Sequence, residues 1–170
     1  MASFKNDPAD FNRLDYSLLK NGSINLYYKK EILKADIEWF KKAEYRIVEI
    51  NTDEWVDESA FHKCVGKSLG YSCVGGNLNC FRDHVGELDI PQKSGMLIVL
   101  MNFDKFYSKN KELADIVIDI IAEESRFHML FGNRLITMLQ LNNPKIELPS
   151  VGAMTIGWNS KEWFDTSKGV

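Results

Sequence analysis

Apolar positions along the chain recur with two periods, and the switching between them predicts short strands separated by longer helices. Residues 45–50, Tyr-Arg-Ile-Val-Glu-Ile, are β-branched-rich and run into Asn51-Thr52-Asp53, which predicts a strand closed by a turn. Residues 96–103 are the most strand-like segment, an apolar run that suits a strand buried on both faces. Residues 135–141 and 154–158 predict two further strands, the second after a turn at Asn142–Pro144. Helical spacing governs the rest. Ile32, Leu33, Ile37 and Phe40 recur across residues 29–43, with Trp39 widening that face. Asp57 is placed to cap a helix whose stripe is Phe61, Val65 and Leu69 and whose stop is Gly70. A long helix over 111–131 turns Leu113, Val117, Ile120, Ile121 and Phe127 inward, and Gly132-Asn133 closes it. Asn21-Gly22 lies between apolar runs at 16–19 and 24–28 and predicts a hairpin. Strands alternating with helices require right-handed crossovers. The fold class is therefore α/β, a mostly parallel β-sheet flanked by helices, with an N-terminal β-hairpin and added edge strands.

Length and charge narrow the picture. At 170 residues the chain suits one core, with residues 1–14 as a flexible N-terminal arm and 15–165 as a single domain. The formal charge of −3 leaves no basic excess to attract a phosphate backbone, so direct nucleic-acid binding is not expected. Carboxylates cluster instead: Glu49, Asp53, Glu54, Asp57 and Glu58 occur with no Lys or Arg among them. Such a run either stabilises a helix N-terminus or forms a rim that steers a basic partner. Cys64, Cys73 and Cys80 form an odd set with no regular framework, and no signal peptide is evident, which points to a reducing cytoplasm. The longest apolar stretch, 96–101, is too short to span a bilayer, so no membrane partner is expected.

Catalytic signatures are thin. No Gly-rich loop ends in Gly-Lys-Ser/Thr, and neither His-Glu-x-x-His nor Gly-x-Ser-x-Gly occurs. Cys80 and His84 stand four apart on a predicted helix, a spacing open to a metal site completed by Cys64 and Cys73, or to a thiol–imidazole pair. A small buried cysteine beside a surface histidine is the simpler reading. Glu124 and His128, also four apart, read as a surface contact, and His62 carries no assigned role. No catalytic residue, metal or cofactor is expected.

The most unusual stretch is residues 70–88. On a helix starting at Asn77, the residues Leu78, Phe81, Val85 and Leu88 share one sector and form the core stripe. Asn79, Asp83, Gly86 and Glu87 fall opposite, facing water or a partner. The order Val74-Gly75-Gly76-Asn77-Leu78-Asn79-Cys80-Phe81-Arg82-Asp83-His84-Val85 resembles the Tyr-Gly-x-Asn-Leu-Asp-Ala-Leu-x-Asp-Cys-Leu motif of the barstar family of intracellular ribonuclease inhibitors. A strand and a helix lead into the motif and a buried strand follows it, as in that family. The whole chain is similar to the longer bacterial members, with additions before the first core strand and a tail such as Gly157-Trp158-Asn159-Ser160-Lys161-Glu162-Trp163.

That resemblance implies inhibition of an intracellular ribonuclease or ribonuclease-like toxin by occluding its active site with an acidic helix. It places Asp83 as the main anchor, with Asn77, Gly75 and Gly76 shaping the helix entry and Glu87 nearer the rim. Departures fall on the contact surface. Asn79 stands where the family usually has an aspartate. Arg82 adds a charge that would repel a basic cleft, and Cys73 and Val74 replace an aromatic pair. The alternatives are a protein of the same fold with a non-nuclease partner, and a site around Cys80 and His84. They separate by experiment, the last through stoichiometric zinc.

Overall fold

Asp15, Tyr45 and Arg134 come from three distant parts of the sequence and meet at one buried carboxylate, which ties one outer helix to the sheet. In a computed structural model describing residues 4–71, 76–152 and 154–168, that sheet has five strands. They are β1 (Ile24–Tyr27), β2 (Arg46–Asn51), β3 (Met96–Met101), β4 (Leu135–Gln140) and β5 (Gly157–Trp158). All pair in parallel, in the order β2-β3-β4-β1-β5. The helices are α1 (Pro8–Phe11), α2 (Leu14–Lys20), α3 (Lys30–Lys42), α4 (Glu58–Leu69), α5 (Leu78–Gly86), α6 (Phe103–Lys109) and α7 (Lys111–Leu130).

Central strands β3 and β4 are buried on both faces, and their alternate residues feed two cores. Met96, Ile98 and Leu100 point to the layer of α4 to α7. Leu97 and Val99 point to the layer of α2 and α3, where Phe40, Leu33 and Tyr27 pack. This explains why both strands read as continuous apolar runs. The segments expected at 45–50, 96–103 and 135–141 are indeed parallel neighbours, in register Ile47↔Leu97 and Ile98↔Thr137.

Four expectations need correction. Residues 16–19 belong to helix α2, so there is no N-terminal hairpin. A type I′ turn needs positive φ at both central residues, whereas Asn21 has φ −101° and acts as the helix C-cap, with its N–H donating to Leu18 and Leu19. Strand β3 stops at Met101 because Asn102 adopts φ +60°, and the chain turns at once into the unforeseen α6. Of residues 154–158, only Gly157 and Trp158 join the sheet, while Met154 bridges back to Val151. Phe127 is 47% exposed, because Ser125 and His128 take the inward positions of the last turns of α7. In the segment expected as an arm, Pro8–Phe11 forms one helical turn, and Phe4 and Phe11 both contact the Tyr16 ring.

The chain's end clasps the sheet edge. Buried Glu162 accepts hydrogen bonds from the Tyr28 and Lys29 amides at the entry of α3, and buried Asp36 accepts from Tyr27 and Asn159 and pairs with Lys161. The Glu162 bonds occupy amide donors at the start of α3.

Asp15 accepts from Tyr45 Oη at 2.6 Å, Arg134 Nη1 at 2.9 Å and Arg13 Nη2 at 2.7 Å. Burial pushes its carboxyl up, but the Arg13 and Tyr45 hydrogen bonds and the two guanidinium charges outweigh burial and hold it below its ordinary value of 3.8. Stability from this group is therefore fully present above that value and is lost as pH falls through the lower folded pKa. Asp15→Ala leaves Arg134 buried without its carboxylate and is expected to cost about 3–5 kcal/mol in urea unfolding at neutral pH. Asp15→Asn should flatten the acid-unfolding limb below pH 3.8, and a limb as steep as the wild type's would contradict this assignment.

Candidate functional site

Helices α4 and α5 meet at a corner built by glycines and caps. The Asp57 side chain accepts from the Ala60 amide at 2.8 Å and starts α4, and Gly70, at φ +83°, stops it. Gly66 has no room for a side chain, since a Cβ there would lie 2.7 Å from the Tyr71 carbonyl oxygen. Past the corner, Gly76 (φ +30°) presses on His62, where a Cβ would come within 2.9 Å of the ring. The Asn77 side chain then accepts from the Cys80 amide at 2.9 Å and starts α5. Both caps stand where the sequence indicates. Gly75, Cys73 and Val74 lie outside the described residues.

Phe81, Val85 and Leu88 are buried and Leu78 is half-buried, so α5 turns its expected stripe to the core. Asn77, Asn79, Asp83 and Glu87 are exposed. Gly86 is not on that outer face: it abuts α7, where a Cβ would meet Glu124 Oε2 at 2.8 Å. Arg82 also turns back, pairing with Glu123 and lying 3.8 Å from Glu124. Its charge is thus paired with α7 on the protein surface, not pointed at a partner as the sequence suggested. His128 is buried, and its Nε2–H donates to the Val85 carbonyl at 2.8 Å, so the expected surface pair with Glu124 is an interhelical tie instead.

On the outer face of α5 lies an open depression of about 430 Å³ lined by Tyr71, Asn77, Asn79, Cys80, Asp83, His84 and Glu87. Its floor is aromatic: the Tyr71 and His84 rings stack at 4.2 Å. Burial pushes the Tyr71 hydroxyl up to about 12. Burial also lowers the His84 pKa, against the opposing effects of a hydrogen bond to the Leu69 backbone and the Glu87 charge, so the stack stays neutral at pH 7. Its rim is acidic. The Asp83 and Glu87 carboxylates, one turn apart, make no hydrogen bond or ion pair among the described residues, and no Lys or Arg lines the depression. They also sit in the last turn and at the C-cap of α5, where the helix dipole disfavours negative charge. Such an arrangement can accept cationic groups, with an apolar surface beneath them.

A family model described as Barstar (barnase inhibitor) matches residues 45–139, more than half of the chain. The chain belongs to the barstar family. No curated protein matches it. The match runs from the start of β2 to β4 and contains the whole α4–α5 corner. The elements before Tyr45 and the clasp around Glu162 extend this barstar-family domain beyond the matched segment.

The alternative chemistry around Cys80 and His84 is not assembled among the described residues. Cys80 is disulfide-bonded and half-buried while Cys64 is free, so Cys80 offers no thiol to His84. Among the described residues no group of three or more His, Cys, Asp or Glu could hold a metal ion, and no helix is long and apolar enough to cross a membrane. The acidic run is engaged locally at Asp53, bonded to Lys105 and Asn102, and at Asp57. Sequence reasoning missed Tyr71, His62 and the His84 stack. The available signal was that two histidines and a tyrosine flank the glycines of one corner; His62 Nδ1 lies 3.4 Å from Tyr71 Oη.

Removing the Asn77 cap with Asn77→Ala should cost about 1 kcal/mol of stability, measured by urea unfolding. The His84 ring should titrate below 6.5 in proton NMR, and Tyr71→Ala, by uncovering the ring, should bring the midpoint back towards that value. A wild-type midpoint at or above 6.5 would contradict the burial argument.

Proposed function

We propose that this barstar-family protein inhibits a ribonuclease or ribonuclease-like toxin by laying the outer face of α5 over its active site, with no catalytic step of its own. The observation that carries this reading is the pair Asp83 and Glu87: exposed, unneutralised, and disfavoured by the dipole of their own helix. A ribonuclease site concentrates cations to hold phosphate, and two carboxylates on a rigid helix present the opposite charge. The Tyr71–His84 stack beneath them supports the reading, because an aromatic floor favours an arginine or lysine stem lying across it. Arg82, tied to Glu123, does not cancel the field of that face.

Asn79 favours a partner other than a barnase-type nuclease, since it offers an amide where the motif usually has a carboxylate. A partner that is not a nuclease is the alternative reading, and an inhibition assay separates the two. A cytoplasmic setting fits the free Cys64 thiol, whereas the Cys80 disulfide belongs to oxidising conditions, so the assay is run with and without reductant.

Asp83→Ala should weaken binding to the target ribonuclease by about 2–5 kcal/mol in calorimetry, because it strands desolvated cations, and should leave the melting temperature unchanged. Glu87→Ala should act mainly by slowing association, and Asn79→Asp should tighten binding to a barnase-type enzyme. An Asp83→Ala variant that inhibits as well as the wild type would place the interface elsewhere.

A further inference from the structure

A cavity of about 240 Å³ opens between the last turns of α7, the turn joining α2 to β1, and residues Val151, Met154, Thr155 and Ile156. Most of its wall lies outside residues 45–139, so the family match does not account for it. Its interior is apolar, with Leu19, Ile24, Val151 and Ile156 buried around it. Met129 and Met154, each 41% exposed, form flexible thioether walls at the opening.

One charged side chain lines this cavity, Arg126. Each of the other four arginines is anchored: Arg13 and Arg134 on Asp15, Arg82 on Glu123, and Arg46 on the Asp89 carbonyl. Arg126 makes no hydrogen bond or ion pair among the described residues. Its guanidinium stands over Gly152, where a Cβ would lie 3.7 Å from Nη2. The φ of +61° at Gly152 is one that other residues rarely adopt, so the backbone itself calls for glycine beneath the guanidinium.

We propose that this cavity binds a small aliphatic carboxylate, with its chain among the apolar residues and its head on Arg126. An unpaired planar guanidinium at an apolar mouth matches a carboxylate in charge and in its two-oxygen geometry. The volume falls below the roughly 300–1,000 Å³ of sites that hold drug-sized ligands, which selects a short chain. This site stands independently of the ribonuclease reading, since it shares no residue with the α5 face.

The test is an NMR titration of the full-length protein at neutral pH with octanoate, octan-1-ol and octylamine in parallel. Octanoate should give saturable one-to-one shifts at Ala122, Met129 and Ile156 and bind at least about tenfold more tightly than octanol, as expected for a hydrogen-bonded charge pair. Arg126→Gln, a surface change, should abolish the preference for octanoate over octanol while keeping the apolar shifts. Absence of saturable shifts with octanoate, equal affinity for octylamine, or an Arg126→Gln variant that binds octanoate like the wild type would each overturn the assignment.

Discussion

The rotation of α5 about its axis is fixed by the edge along which it packs on α7. Gly86 faces the flexible end of the Glu124 side chain, whose carboxylate a Cβ would meet at 2.8 Å, so the C-terminal half of α5 rests against α7. Two further ties hold the same edge: the His128 ring on the Val85 carbonyl, and Arg82 on Glu123. Positions 82, 85 and 86 are thereby committed inward or sideways, and helical geometry then leaves 79, 83 and 87 outside. A one-residue change of register would drive Asp83 towards the buried side of the helix, where an unpaired carboxylate is costly to desolvate.

That constraint also sorts the charges. The one cation on α5 is drawn to α7, and the two carboxylates are left without a counter-charge on the open side. Neither placement helps α5 as a helix, because its first turn lacks an acidic residue and its last turn and C-cap carry Asp83 and Glu87. The buried polar groups elsewhere behave differently. Asp15, Asp36 and Glu162 each accept several hydrogen bonds and join segments more than a hundred residues apart in sequence, so they serve the fold. Asp83 and Glu87 contribute nothing comparable to it.

Much of this was legible in the sequence where one residue type has one dominant physical role. Doubly buried β3 and β4 announced themselves as apolar runs, and Asp57, Gly70 and Asn77 marked helix ends through capping chemistry. The stripe Phe81, Val85 and Leu88 and the outward Asp83 followed from periodicity alone. Legibility failed where tertiary contacts decide. Asn21-Gly22 can end a helix as well as turn a hairpin, and the packing of α2 on the sheet selected the former. Ser125 and His128 are polar yet buried, which shifted the apparent apolar stripe of α7 onto Phe127. Arg82 read as an unpaired charge because its partner Glu123 lies 41 residues away. The roles of His62 and His84 depend on Tyr71 and Gly76, a juxtaposition made only by the α4–α5 corner.

The measurement closest to the central claim is a side-chain NMR titration of the protein with its target ribonuclease, following the Asp83 and Glu87 carboxylate carbons together with the Arg82 guanidinium. If α5 is presented as described, both carboxylate signals shift and saturate at one-to-one stoichiometry while the Arg82 signal stays at its free-protein position, still bound to Glu123. Saturable binding that leaves Asp83 and Glu87 unmoved, or that releases Arg82 from α7, would contradict the assignment of this face.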